Sequence, residues 1–373
     1  MATKRKKLTK KKKRIRKIKR ILFLIVILVV IVLLARCAIK KFRDDPKDTE
    51  PTESTTDVDT VVTTEEITTE AEVTTRQQGE VTDENGNKIT DIYLDERLIR
   101  SLSGIQERLK CKTVFVYDRV TKTYLLEVNT RDIIHPASIT KLWTSLYALS
   151  ELEPDTKITA GDEVKLIKPG SSTAYIKSGK HTLKLSMLVE GMLLPSGNDA
   201  AYVVAAAVGK KLAKNEEISP EEAVSYFMIG LNEYAELIGC KGTVFSEPDG
   251  NTYENHYTTV PDLVLVADLA LQNGMMREYM ATQKEKVYYA SGQNMTWTNT
   301  NLLLDEESDY YTPYAVGMKT GSLEDEYSLL AAAAVPEGSD ARFIIGCFAG
   351  QLKNDRFADA KLIIDTIAET VGK

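Results

Sequence analysis

Histidine is nearly absent: His135, His181 and His256 are the only three in 373 residues. A histidine-built zinc site or a Ser-His-Asp triad therefore has few candidates, and none of the three carries a recognisable motif. Cysteine is equally thin, with Cys37, Cys111, Cys240 and Cys347 at spacings that match no metal-binding pattern. Cys347 lies in the apolar run 343–348 and reads as a buried free thiol, while a bridge between Cys111 and Cys240 stays open. Acidic residues are missing altogether from residues 1–20, which hold 13 Lys or Arg. The other 353 residues then carry 35 basic against 54 acidic groups, a net of −19 behind the overall −6. That imbalance argues against a nucleic-acid partner, because the part long enough to fold would repel phosphates. Aromatic residues disappear between Phe42 and residue 90, so that stretch has little with which to build a core.

What is present divides the chain into four parts. Residues 1–20 form a basic arm, read as cytoplasmic because it abuts an apolar segment and Lys and Arg prefer that side. Residues 21–39 are read as a transmembrane signal-anchor: 21–35 have no polar interruption, and with Arg36 snorkelling the stretch to Ile39 would span roughly 28 Å as a helix. The nearest cleavage site, Ala35-Arg36-Cys37, is weak, which favours an uncleaved anchor; cleavage would instead release a secreted protein. Residues 40–90 are read as a disordered linker, with 13 Thr and 14 Asp or Glu between 41 and 90 and a reach on the order of 40 Å. Residues 91–373 have globular texture.

Within that last part, 112–118 and 123–128 read as a strand hairpin around Arg119-Val120-Thr121-Lys122. Residues 138–152 show apolar Ile139, Leu142, Trp143, Leu146 and Leu149 at helical spacing. Further helices are expected over 185–194, 199–208, 220–237 and 261–271, strands over 315–322, 327–335 and 342–350, and a closing helix over 355–371. Strands near both ends with helices between them imply an α/β arrangement of the α+β kind: an antiparallel sheet formed from both chain ends, with an inserted helical lobe.

Three short motifs carry the chemistry. Ser138-Ile139-Thr140-Lys141 opens the first helix, and spacing i to i+3 sets a hydroxyl and an amine on one helical face. The amine can take the hydroxyl proton only if it is neutral, so the site must depress a lysine whose ordinary pKa is about 10.4. Taken alone, a serine at a helix start is more often an N-cap. Ser196-Gly197-Asn198 falls between two helices and Lys319-Thr320-Gly321 on a strand; each by itself is ordinary loop or strand-end chemistry. Their occurrence once each, in this order, on a helix start, an inter-helix loop and a strand makes the joint signal strong.

The three motifs are similar to those of the serine penicillin-recognising enzymes. Around them, from residue 109 to 371, the chain resembles the D-alanyl-D-alanine carboxypeptidases of the low-molecular-mass penicillin-binding proteins. The matching stretches include Pro136-Ala137-Ser138, Gly191-Met192-Leu193-Leu194-Pro195-Ser196-Gly197-Asn198-Asp199-Ala200, Pro248-Asp249-Gly250, Asn255-His256-Tyr257, Asn299-Thr300-Asn301-Leu302-Leu303 and Gly317-Met318-Lys319-Thr320-Gly321. The resemblance implies a β-lactamase/transpeptidase-like fold without cofactor or metal. It implies Ser138 as nucleophile, Lys141 as base, Ser196 as proton relay and Asn198 as holder of the substrate amide and of Lys141. Lys319 and Thr320 would bind the terminal carboxylate, with Lys319 also helping to keep Lys141 neutral. Gly321 would let the substrate backbone lie against its strand, and the N–H groups of Ser138 and Ser322 would form the oxyanion hole.

The implied partners are peptidoglycan stem peptides ending in D-Ala-D-Ala, β-lactams as covalent inhibitors, and the cytoplasmic membrane through the N-terminal helix. One departure stands beside the third motif, where Glu326-Tyr327 replaces the small pair usual in the family. A β-lactamase of class A would carry Glu-x-x-Leu-Asn, which does not occur between Ala200 and Met318. A penicillin sensor or wall-binding module is the other alternative, and a sensor would need a larger cytoplasmic part than residues 1–20.

Overall fold

Two strands near residue 115 and three after residue 315 come together in one sheet. The structure is a computed structural model and describes residues 88–372. The basic arm, the signal-anchor and residues 40–87 of the expected linker lie outside the described residues. Among the described residues no helix is long and apolar enough to cross a membrane.

The first described helix is α1 (Ile89–Ser103), which begins two residues ahead of the start expected for the folded part. The hairpin follows as β1 (Thr113–Asp118) and β2 (Thr123–Val128). A 3-10 turn (Ala137–Thr140) leads into α2 (Lys141–Glu151). A short ribbon pairs β3 (Lys157–Thr159) with β4 (Thr182–Lys184). The lobe continues through α3 (Leu185–Leu193), α4 (Asn198–Ala213), α5 (Pro220–Leu237), α6 (Val260–Gln272) and α7 (Gly274–Ala281). A second hairpin, β5 (Lys284–Tyr288) with β6 (Asn294–Thr298), precedes the three late strands β7 (Ala315–Leu323), β8 (Glu326–Ala333) and β9 (Phe343–Gly350), and α8 (Asp355–Val371) closes the chain.

The main sheet is antiparallel throughout, in the order β2-β1-β9-β8-β7. The sheet drawn from both chain ends, and the helical lobe inserted between them, are as expected. Strands β8 and β9 are almost wholly buried because both faces are covered, which is why they read as continuous apolar runs rather than alternating ones. On one face α1 and α8 contribute Leu98, Leu102, Phe357, Ile363 and Ile364. On the other the lobe contributes Leu142, Trp143, Leu188, Val204 and Phe227. Gly346 in β9 admits the Phe115 ring, which a Cβ there would meet at 2.1 Å.

The boundaries of α5 and α8 match the expected ones, the first because Ser219 caps it, its Oγ accepting from Glu222 N at 3.1 Å, with Pro220 at the first helical position. The bridge left open between Cys111 and Cys240 is not formed, all three described cysteines being free. Trp143 Nε1 donates to Cys240 Sγ at 3.5 Å, whereas the Cys347 thiol is pushed up first by a hydrogen bond with Cys111 and then by burial.

Candidate active site

Ser138 does not stand on the α-helix itself. Ile139 N donates to Pro136 O at 3.1 Å, and the turn Ala137–Thr140 is 3-10. With three residues per turn, positions i and i+3 eclipse, so Lys141 falls directly over Ser138. Lys141 Nζ donates to Ser138 Oγ at 2.7 Å, to Asn198 Oδ1 at 2.8 Å and to Asp249 O at 3.1 Å. These acceptors use all three ammonium protons. The side chain is fully buried, and burial lowers its pKa to about 8 against the opposing pull of Asp249 and Asp199. An amine in this position, once deprotonated, can accept the hydroxyl proton of the serine it already touches.

The segment beneath the turn comes from the Pro248-Asp249-Gly250 stretch. Thr144 Oγ1 donates to Pro248 O at 2.7 Å, aligning the next carbonyl on Lys141. Gly250 is in the left-handed region (φ 77°), and a Cβ on it would meet Ala137 O at 1.9 Å, so only glycine fits. Ser246 N donates to His256 Nδ1 at 3.2 Å, which leaves the ring proton on Nε2 to donate to Thr140 Oγ1 at 2.8 Å. Burial pulls His256 down to about 3. It is a neutral strut under the Ser138 turn, and the side chain in contact with Ser138 Oγ is a lysine.

Ser196-Gly197-Asn198 forms the sharp entry to α4. Ser196 sits in the left-handed region (φ 61°), as does Ala137 (φ 49°) before the nucleophile; such backbone persists only where surroundings hold it. Here the holding group is Asp199. Its carboxylate accepts from Ala174 N at 2.7 Å, Ile176 N at 2.8 Å and Ala200 N at 2.9 Å, while burial pushes its pKa up against those bonds. Ser172 Oγ donates to Ser196 O at 2.7 Å and Asn198 N to Ser172 O at 2.9 Å. The loop before α3 and the second motif are thereby one unit. Asp199→Ala strands three buried N–H groups, each worth about 1–3 kcal/mol. Urea unfolding should show a loss of about 3 kcal/mol or more, and a loss below about 1 kcal/mol would mean the carboxylate holds nothing in place.

The third motif lies on β7, the outer strand of the sheet. Lys319 is fully buried and its Nζ donates to Thr320 O at 3.1 Å. Its pKa is driven well down by burial and then by the charges of Lys141 and Arg356. Burial is the first cause of the lowering at both lysines, and the repulsion between their two amines adds to it. Gly321 follows on the same strand. A Cβ there would come within 2.8 Å of Pro136 O and 3.1 Å of Ala137 Cβ, so the bare face of the glycine lets β7 press against the nucleophile turn.

Thr320 Oγ1 and Thr300 Oγ1 are 2.6 Å apart. Asn301 Nδ2 donates to Gly317 O at 3.1 Å and Asn299 Nδ2 to Thr282 O at 3.0 Å, so the Asn299-Thr300-Asn301 stretch ties β7 to the end of α7. Arg356, at the start of α8, donates through Nη1 to Gly321 O at 2.5 Å, Ser322 Oγ at 3.1 Å and Ser328 O at 3.1 Å. It is almost completely buried, its Nε has no partner among the described residues, and burial lowers its pKa to about 10.

A cavity of about 590 Å³ is lined by Ser138, Ser196, Asn198, Thr320 and Ser322, together with Arg356. Lys141, Lys319 and Gly321 are buried and lie behind that wall rather than in it. All eight residues singled out from the sequence therefore gather around one site. Sequence reasoning missed the role of Asp249, whose contribution is a backbone carbonyl, and missed Arg356, which carries no motif; Asp199 was visible directly after the second motif, but its role as a clamp was not.

A serine on the cavity wall in contact with a buried lysine, beside an outer β-strand, is an arrangement suited to nucleophilic acyl transfer. The sequence profile of the family described as D-alanyl-D-alanine carboxypeptidase matches residues 102–345, and the chain belongs to that family. It is 27% identical over 261 residues to the D-alanyl-D-alanine carboxypeptidase DacF of Bacillus subtilis (strain 168), covering 69% of this chain and 61% of that protein. It is 33% identical over 208 residues to the D-alanyl-D-alanine carboxypeptidase of Streptomyces sp. (strain K15), covering 52% of this chain and 67% of the relative. The crystal structure of the Streptomyces K15 DD-transpeptidase superposes with a TM-score of 0.60 at 26% identity, over 69% of this chain and 97% of that one.

Proposed function

We propose that this protein is a serine-type D-Ala-D-Ala carboxypeptidase that removes the terminal D-alanine from peptidoglycan stem peptides. The observation that carries the reading is the 2.7 Å contact of Lys141 Nζ with Ser138 Oγ in a cavity that the other two motifs also line. Neutral Lys141 takes the proton of Ser138 Oγ as that oxygen attacks the carbonyl carbon of the penultimate D-alanine. The N–H groups of Ser138 and Ser322 receive the negative charge on the carbonyl oxygen. Ser196 relays a proton to the departing amine, D-alanine leaves, and an ester to Ser138 remains. Water then cleaves the ester and restores the hydroxyl. Asn198 holds Lys141 and the substrate amide. Thr320 takes the terminal carboxylate at the cavity wall, with Lys319 and Arg356 placed behind the strand as its basic backing.

In this reading residues 21–39 anchor the enzyme in the cytoplasmic membrane, residues 1–20 stay inside, and residues 91–373 work outside at the end of the linker. The hydropathy and charge of the sequence support that placement. β-Lactams act as covalent inhibitors through the same serine.

The test is release of D-alanine from a peptide ending in D-Ala-D-Ala by the full-length protein, and its block by penicillin. Penicillin labelling without D-alanine release would point instead to a penicillin-binding sensor or wall-binding module. Rapid destruction of the penicillin itself would indicate a β-lactamase.

A further inference from the structure

Residues 166–176 run without helix or strand, and Pro169, Gly170, Ser171 and Ser172 among them form one wall of the cavity. One end of this wall is held by the second motif: Ser172 bonds Ser196 and Asn198, and Asp199 holds Ala174 and Ile176. The other end has a fastening of its own. Lys168 Nζ donates to Asn251 O and pairs with Glu247 Oε1 at 3.2 Å, while Asn251 Nδ2 donates to Ser171 Oγ at 3.3 Å. Glu247 and Asn251 lie on either side of Asp249, whose carbonyl accepts from Lys141 Nζ. Lys168 thereby ties the wall that supports Ser196 to the segment that supports Lys141.

The tie has little redundancy. Among the described residues three hydrogen bonds or ion pairs join the wall to residues 247–251, and two of them belong to Lys168. Glu247 depends on the same ammonium: its Oε2 is buried without a partner among the described residues, and burial and then Asp249 push its pKa up against the pull of Lys168. Removing Lys168 would leave that carboxylate uncompensated and the wall held across the cavity by the Asn251–Ser171 bond alone.

What the wall positions is a hydroxyl. Ser196 keeps its left-handed backbone (φ 61°) because Ser172 and Asp199 hold the chain on both sides of it. In the carboxypeptidase reading Ser196 passes a proton to the departing amine, and proton delivery is sensitive to displacements well below 1 Å.

We propose that Lys168 is a positioning residue for this proton delivery, fastening the 166–176 wall to the 247–251 segment so that Ser196 stays in line with the leaving group. The proposal rests on the carboxypeptidase reading and adds to it a residue outside the three motifs.

Two substrates with the same acyl part test it: Nα,Nε-diacetyl-L-Lys-D-Ala-D-Ala, whose leaving group is an amine, and the ester in which D-lactate replaces the last D-alanine. An amine departs only with an added proton, whereas an alkoxide departs far more readily without one. The measured quantity is the ratio of kcat/KM for the amide to that for the ester, from release of D-alanine and of D-lactate by the full-length protein. Because each ratio is taken within one variant, the folded fraction cancels. In Lys168→Met, which keeps the length of the side chain and removes its charge, the ratio should fall about fivefold below the native one, the upper range for a part-exposed ion pair. Lys168→Arg, which keeps the charge, should hold the ratio within about twofold of native. An unchanged ratio in Lys168→Met, or a ratio in Lys168→Arg as low as in Lys168→Met, overturns the inference while leaving the carboxypeptidase reading intact. No release of D-alanine by the native protein refutes the carboxypeptidase reading, and the inference falls with it.

Discussion

Replacing Ser138 with alanine should abolish covalent labelling by penicillin and lower D-alanine release by about 10⁴-fold or more, because Ser138 Oγ is the hydroxyl that Lys141 Nζ contacts. The fold should tolerate the change. Ser138 lies at the cavity surface, and its Oγ is only one of three acceptors for Lys141 Nζ, the other two being Asn198 Oδ1 and Asp249 O. Labelling of the native protein and of the Ser138→Ala variant, run side by side on gels, makes the comparison. Ser196 is the competing hydroxyl in the same cavity, so persistent labelling of the variant would transfer the nucleophile's role away from Ser138.

The second large effect concerns Lys141. Its pKa is lowered, so the group loses its proton at a lower pH than a free lysine. At pH 7 a lysine of pKa about 8 is neutral in about one molecule in ten, against roughly one in 3,000 for an unperturbed amine. Burial thus enlarges the reactive population about 300-fold. The penicillin acylation rate should climb nearly tenfold per pH unit below pH 7 and level off above about 8. Lys141→Arg keeps the positive charge but cannot release the proton, and should cost at least about 10³-fold. Stopped-flow acylation across pH 5.5–9.5 reads both. A flat profile in the native protein would remove Lys141 from the role of base.

Much of this arrangement could be read from the residues because it is local. The hairpin of β1 and β2, the helix α5 with its serine cap and the closing α8 all follow from patterns within a single element. The gathering of Ser138, Ser196 and Lys319 was legible only jointly, since each motif alone is common loop or cap chemistry. Other features were hidden for identifiable reasons. Strands β3 and β4 have three residues each, too few to show a period. Strand β5 begins Lys284-Glu285-Lys286, which masks its alternation. The third acceptor on Lys141 is a carbonyl, and carbonyls leave no mark in a sequence. The direction in which Gly321 needs space depends on where Pro136 arrives, and the 3-10 form of the nucleophile turn depends on packing from Gly250. The side chain of Arg356 reaches the site from a helix that follows all three motifs.

The strand order also dictates how the molecule must be made. Strand β9 pairs with β1 on one side and β8 on the other, yet of the five strands of this sheet it is the last to be synthesised. Until residues 343–350 emerge, the early hairpin and the β7–β8 pair are separate two-stranded pieces with unpaired apolar edges, neither stable by itself. Closure must then join partners over 200 residues apart, as the pairing of Val114 with Cys347 shows, a topology that folds slowly. A chain truncated before β9 lacks the strand that joins the β7–β8 pair to β1 and β2, even though all three of its motifs have already been made.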